Sequence, residues 1–248
     1  MIALQGVTKR FGERVAIDNV SIEFREHATH VVLGSSGSGK STVLRLILGL
    51  LWPDTGETVV DGTPVGPTTR AALLQRMGYV VQEGGLYPHL TTYQNVALPA
   101  EPHQWSGARV HERVAALAEM VGFDDSILRL YPGQLSGGQR QRAGLMRALM
   151  LDPPILLLDE PLGALDPIVR ADLQAQLGRL FQDVRKTVLL VTHDIREAMI
   201  LGETVTLMTA GRVVQHGTFD DLLRQPAEPF VTEFLKAQAL PAMVGERA

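Results

Sequence analysis

The 248-residue chain contains no cysteine, which excludes disulfide bonds, thiol catalysis and cysteine-based zinc sites. A basic block is missing too: 23 lysines and arginines stand against 27 aspartates and glutamates, a net charge of −4. A nucleic-acid-binding surface therefore has little electrostatic support. No apolar run approaches the roughly 18–20 residues needed to span a bilayer, and no signal-peptide pattern precedes the first strand-like segment. Internal repeats and low-complexity tracts are also lacking. What these absences leave is a soluble cytosolic chain, long enough for one large domain or two small ones. It would serve a membrane only through a partner.

One stretch organises the rest. Val31, Val32 and Leu33 form an apolar strand-like run that leads into Gly34-Ser35-Ser36-Gly37-Ser38-Gly39-Lys40-Ser41, and a helical pattern carrying Val43, Leu44, Ile47 and Leu48 follows. This is G-x-x-x-x-G-K-[ST] in the strand–loop–helix context the motif requires. Glycines let the backbone curl so that successive N–H groups face an anion. The helix N-terminus adds positive potential at the same place. Lys40 can then reach β- and γ-phosphates, and Ser41 can offer its hydroxyl to Mg²⁺. A nucleoside triphosphate is the expected ligand.

Around this stretch the pattern alternates. Ile2, Leu4 and Val7, then Val15, Ile17, Val20, Ile22 and Phe24, predict antiparallel strands about a turn at Gly12. Thr58 to Val60 predicts a strand turned at Asp61-Gly62. From residue 83 to about 151 helical spacing replaces strand spacing, whereas apolar strands return at residues 155–158 and 187–191. The reading is an α/β P-loop core with a mostly parallel sheet, built from residues 1–82 and 152–248. An N-terminal antiparallel β region and a helical subdomain at 83–151 complete it. No appended regulatory domain is expected, and the C-terminal helix is expected to fray after Pro241.

Further polar residues fall where open α/β sheets place chemistry, at strand ends. Asp159 closes a buried strand and can hold Mg²⁺. Glu160 follows it and can deprotonate the attacking water. Gln82 can touch the metal or the water, and His193 can hydrogen-bond the γ-phosphate. A second anion site is legible at Leu135-Ser136-Gly137-Gly138-Gln139, where a hydroxyl and two glycines precede a helix. Two phosphate motifs in one chain are reconciled if each nucleotide lies between the P-loop of one copy and the serine-glycine motif of another.

Residues 34–42, Gln82, Leu135 to Gln139, Ile155 to Glu160, Ala164-Leu165-Asp166 and His193 together resemble the ATP-binding subunit of ABC transporters, over nearly the whole chain. The resemblance implies that Phe11 stacks on adenine and that Gly34, Ser35, Ser36, Gly37, Ser38, Gly39, Lys40, Ser41 and Thr42 hold the phosphates. A partner copy would contribute Ser136, Gly137, Gly138 and Gln139. Asp166, in the loop 163–166, would reach across to that copy. The metal would lie on Ser41, Gln82 and Asp159, with Glu160, His193 and Gln82 the catalytic set. ATP and Mg²⁺ are thus the implied cofactors. Implied partners are a second copy, transmembrane permease subunits that dock on residues 83–95, and an extracytoplasmic substrate-binding protein, without nucleic acid. The place of work would be the cytoplasmic face of the membrane.

Within that family Gly84 to Leu90, Gly163 to Pro167, His193-Asp194 with Glu197-Ala198, and Pro226 to Phe234 are similar to importers, most of all to those of osmoprotectants. Exporter or lipid-transport ATPases, and soluble ABC ATPases acting on ribosomes or DNA, are the alternatives. Two departures stand out. Ser35 replaces a more usual proline, and Leu201-Gly202-Glu203-Thr204 replaces an Ala-Asp-Arg run, putting any salt bridge there in doubt.

Overall fold

Alternating burial sets the first strands. The computed structural model describes residues 1–163, 167–184 and 186–238. In it β1 (Ile2–Phe11) and β2 (Arg14–Phe24) form an antiparallel hairpin from Ile2↔Phe24 to Phe11↔Arg14. Ile17, Val20, Ile22 and Phe24 face inward. All six residues of β3 (Thr29–Gly34) are buried, and α1 (Lys40–Ile47) buries Val43, Leu44, Leu46 and Ile47. Next, β4 (Thr55–Val60) pairs antiparallel with β1, and the short β5 (Thr63–Pro64) follows the turn at Asp61-Gly62. This sheet runs β2-β1-β4-β5.

The chain divides into two compact units, one of Met1–Leu73 with the chain from Leu189 onward, the other of Leu74–Val188. Passage into the second comes at α2 (Arg70–Leu74). There β6 (Met77–Val80) gives way to a 3₁₀ turn at Gln82–Gly84, so Val81 lies outside the strand. Helices follow as the spacing predicts: α3 (Thr92–Ala97), α4 (Gly107–Val121), α5 (Asp125–Leu128) and α6 (Gly137–Leu149). Side chains of Thr91, Ser106, Asp124 and Ser136 cap them in turn, satisfying N–H groups that a helix start leaves unpaired. Buried Asn95 pins the loop before α3 by accepting from the Tyr87 N–H and donating to the carbonyls of Tyr87, Leu90 and Thr91. The unit is closed by β7 (Ile155–Asp159), parallel to β6 from Met77↔Ile155 to Val80↔Leu158, and by α7 (Pro167–Val184). It is thus larger than the helical stretch 83–151, because β6 and β7 pair with each other within it.

The return to the first unit comes within β8 (Thr187–Thr192), followed by α8 (Ile195–Leu201), β9 (Thr204–Thr209), β10 (Arg212–Gly217), α9 (Phe219–Arg224) and α10 (Pro229–Gln238). The expected fraying past Pro241 lies outside the described residues. In the sheet β3 sits between β9 and β8, parallel to β9 from His30↔Thr204 to Gly34↔Met208. The unusual run at 201–204 has its own role. Glu203 accepts from the Thr29 N–H at 3.0 Å, and its own N–H donates to the Thr29 carbonyl at 2.8 Å, fixing the start of β3.

The hairpin of β9 and β10 turns through Ala210 (φ +46°) and Gly211 (φ +78°), the left-handed pair that a two-residue hairpin loop requires. Gly211 is clamped on both sides. Its N–H donates to the Ser38 carbonyl at 3.0 Å, and its carbonyl accepts from the Asp18 N–H at 2.9 Å. A Cβ there would lie 2.8 Å from the Ala16 carbonyl oxygen. Gly211→Ala should therefore lower the unfolding free energy by about 1–3 kcal/mol, combining positive-φ strain with a backbone clash. Equilibrium urea unfolding with a midpoint like that of the wild type would contradict this.

His30, on β3, is 1 % exposed. Its Nε2 lies 2.8 Å from the Arg25 carbonyl and its Nδ1 2.6 Å from the Thr204 hydroxyl. A carbonyl only accepts, so Nε2 carries the proton and the neutral Nδ1 accepts from Thr204. Burial lowers the His30 pKa, opposed by the Arg25 carbonyl bond and Glu203 and reinforced by His216 and Arg25. A lowered imidazole pKa means the unfolded chain binds more protons just below about pH 6.5. The stability is present above that pH and is lost as pH falls beneath it. His30→Gln should flatten the loss of thermal stability between about pH 7 and 5. Identical pH slopes for the two proteins would remove His30 from this role.

Candidate nucleotide site

In the first unit, β3 delivers the chain to Gly34 with no room for a side chain. A Cβ on Gly34 would lie 2.4 Å from the Met208 carbonyl oxygen and 2.6 Å from Ser38 Oγ. Gly37 (φ +79°) and Gly39 (φ +108°) occupy the left-handed region, where glycine carries no steric cost. The carbonyls of this loop are taken one by one. Those of Gly34 and Ser35 each accept from Lys40 Nζ at 2.9 Å, and that of Ser35 also accepts from the Ser38 N–H at 3.2 Å. Ser38 passes its carbonyl to Gly211. Gly37 is reached from the β1–β2 hairpin by Arg14 Nη2 at 3.5 Å.

Lys40 is 4 % exposed, so its ammonium is placed at the loop and not in solvent. No side chain caps the start of α1, and its first turn contains no acidic residue. That helix end is left electropositive for an anion. Buried Ser38 Oγ has no hydrogen-bond partner. Glycine cradle, uncapped helix start and buried ammonium fit a triphosphate, and Ser41 at the second helical position suits Mg²⁺. Among the described residues no group of three His, Asp or Glu could hold a metal. Phe11 lies 47 % exposed at the end of β1, opposite Arg14, with Lys9 Nζ 5.8 Å from its ring centroid. His193 is exposed just past β8, the neighbour of β3.

The second unit carries the remaining residues. Asp159 ends β7, and the Tyr79 hydroxyl on β6 lies 3.5 Å from its Oδ2. Glu160 follows at φ +46°, a region that costs a side-chain-bearing residue of order 1 kcal/mol and that clusters at functional sites. Its carbonyl accepts from the Gly163 N–H at 3.2 Å, and a Cβ on Gly163 would approach Glu160 Oε2 to 3.5 Å. Gln82 is exposed at the start of its 3₁₀ turn. Ser136 is exposed at the N-cap of α6, where its Oγ accepts from the Gln139 N–H at 3.2 Å. The Gln139 side chain accepts in return from the Ser136 N–H at 2.8 Å. Ser136 keeps its hydroxyl proton for an incoming acceptor, and Gln139 is engaged in starting the helix. Asp166 lies outside the described residues.

Sequence reasoning did not single out Tyr79, Arg14 or Gly211 as part of this machinery. For Tyr79 the signal was present, since parallel strands in register set position 79 near the end of the neighbouring strand. For Arg14 and Gly211 there was none, because each reaches a loop carbonyl from a distant segment, Arg14 through its guanidinium and Gly211 through its backbone N–H.

A family model described as ABC transporter matches residues 17–163. The chain is 42 % identical over 234 residues to the glycine betaine uptake system ATP-binding protein YehX of Escherichia coli, covering 94 % of this chain and 76 % of that one. It is 43 % identical over 237 residues to the sulfate/thiosulfate import ATP-binding protein CysA of Thermosynechococcus vestitus, covering 94 % and 69 %. It spans 63 % of the length of choline and osmoprotectant ATP-binding proteins of Bacillus subtilis and Salmonella typhimurium that it also matches. Among solved structures it resembles the ATP-binding cassette MJ0796, in a dimeric post-hydrolysis state bound to ADP and phosphate. That match has a TM-score of 0.79 and 34 % identity, over 88 % of this chain and 98 % of that one. A phosphate cradle continuous with a family match over more than half its length places the protein: it belongs to the ABC transporter family.

Proposed function

We propose that this chain is the ATP-hydrolysing subunit of an ABC importer. The observation that carries hydrolysis, beyond binding, is the backbone of Glu160, a carboxylate held in the left-handed region directly after the strand-end Asp159. Strain of that kind persists only where the surroundings impose it. In this reading Lys40 and the loop of residues 34–42 hold the β- and γ-phosphates, and Phe11 packs on the adenine. Ser41, Gln82 and Asp159 would hold Mg²⁺, whose charge would offset that of the phosphate oxygens. The Glu160 carboxylate takes a proton from water as the water oxygen bonds to the γ-phosphorus. The bond to the β–γ bridging oxygen breaks, leaving ADP and phosphate. His193 donates a hydrogen bond to the γ-phosphate.

Each nucleotide is shared between two copies, with Ser136, Gly137 and Gly138 of one donating to the γ-phosphate held by the other. Gln139 supports that donation by capping α6, and Asp166 couples the two sites. Closing and reopening of the pair drives the membrane subunits. Among the described residues no helix is long and apolar enough to cross a membrane. In this reading the chain attaches to a permease at the cytoplasmic face. The docking segment is residues 83–95. Gly85 and Tyr87 line a cavity of about 350 Å³, while Thr91 and Tyr93 line another of about 570 Å³. Import is supported by the uptake and import roles in the names of the relatives. The betaine and choline relatives favour a quaternary amine delivered by an extracytoplasmic binding protein. The sulfate relatives, equally similar, make sulfate the second reading; an assay of betaine against sulfate binding by that protein decides between them.

Glu160→Gln should leave ATP binding intact and slow hydrolysis about 100- to 10,000-fold, the range for losing a general base. Turnover near that of the wild type would move the base elsewhere. Sharing of sites is tested with a linked pair in which one copy carries Lys40→Ala and the other Ser136→Arg. Both lesions then fall on one site, so the pair should occlude one ATP while either homodimer occludes none. A folded linked pair that occludes none would rule out sharing.

A further inference from the structure

The loop that follows Gln82 is gripped by α6 along one face. Arg140, Gly144 and Arg147 lie at helical spacings of four and three, and so share that face. Arg147 Nη2 donates to the carbonyl of Gly84 at 3.1 Å and to that of Gly85 at 2.9 Å. Gly84 (φ +78°) and Gly85 (φ +55°) are both in the left-handed region, so two successive carbonyls present themselves to one guanidinium. Contact is too close for side chains. A Cβ on Gly144 would lie 2.8 Å from the Gly84 oxygen and 2.9 Å from its Cα. One on Gly84 would lie 2.5 Å from the Arg140 carbonyl oxygen, and one on Gly85 would lie 2.1 Å from Val81 Cγ2.

The same helix is tied at both ends. The Ser136–Gln139 box starts it. Arg113 finishes it by donating to the carbonyls of Leu149 at 2.7 Å and Met150 at 3.3 Å. Its middle is therefore a rigid bar on which the glycine loop is bolted. The cavity beside the bolt is lined by Leu74, Gly85, Tyr87, Leu98, Arg147 and Leu151.

We infer that Arg147 is a positioning residue that, with Gly144, locks residues 82–85 to α6, so that Gln82 and the Ser136–Gly138 donors move as one body. A push on the cavity beside Tyr87 then reaches both phosphate-facing elements together, without any contact of Arg147 with the nucleotide. The inference rests on the ATPase reading only for its kinetic arm.

The test compares wild type, Arg147→Met and Gly144→Ala in the full chain by amide hydrogen exchange, thermal unfolding and ATPase kinetics. Met keeps an apolar stem and loses the donors. In Arg147→Met, amides of residues 83–87 should exchange roughly tenfold faster, the factor expected for a lost charge-assisted hydrogen bond. Exchange in the interior of α6 should be unchanged. The kcat should fall about five- to twentyfold with the KM for ATP within about twofold, the pattern of an interaction made only in the transition state. Gly144→Ala pushes the loop away from the same face of α6 and should give the same split of kcat from KM. Arg147→Lys, with a single-point donor in place of a fork, should fall between. Unchanged exchange at 83–87, or fast exchange there with kcat of the wild type, overturns the inference. So does a loss of kcat that merely tracks unfolding of the whole of α6. Should the wild type itself fail to hydrolyse ATP, the ATPase reading falls, and the exchange comparison still decides the lock.

Discussion

A backbone that offers its N–H groups to an anion must find other partners for its carbonyls, and the rest of the first unit is arranged to supply them. Lys40 takes the carbonyls of Gly34 and Ser35, Gly211 takes that of Ser38, and Arg14 reaches that of Gly37. Each donor comes from a different part of the chain. Gly211 belongs to the β9–β10 turn, itself fastened to β2 through Asp18. The loop is thus held from outside while its inner face remains available. That division of labour lets a loop of small residues behave as a rigid receptor, since unsatisfied backbone groups would otherwise pull it into a different turn.

The second unit solves a related problem with a helix. An exposed serine and two glycines at a helix start suit an anion, and the helix that carries them is held along its length. Here α6 is capped at one end, bonded to Arg113 at the other and packed against the loop of Gln82 in between. Glu160 shows the converse arrangement, a side chain whose backbone is held away from its preferred conformation. Rigid donors and a strained carboxylate are both ways of fixing geometry in advance.

Much was legible in the residues alone. The P-loop, the serine-glycine motif and the strand-end Asp159-Glu160 are contiguous, so their chemistry follows from local spacing. Their elements, β3 with α1, the N-cap of α6 and the end of β7, were set by short-range apolar periodicity and capping, which do not depend on distant segments. Phe11 and Asp166 were reached through family resemblance, not through pattern.

Other features depended on contacts between residues far apart in the chain. Gly211 is an ordinary hairpin glycine by sequence; packing against Ala16 and Ser38 makes it a support for the phosphate loop. Tyr79 is one apolar-strand residue among several until the register of β6 on β7 sets its hydroxyl beside Asp159. Arg147 looks like a solvated helical charge, yet it points at two carbonyls some sixty positions earlier in the chain. Spacing by itself determined which residues can bind phosphate, because that capacity lies in contiguous backbone and its immediate side chains. Only the tertiary structure decided what holds those residues still, because that work is done by close approaches and hydrogen bonds between segments that no local pattern connects.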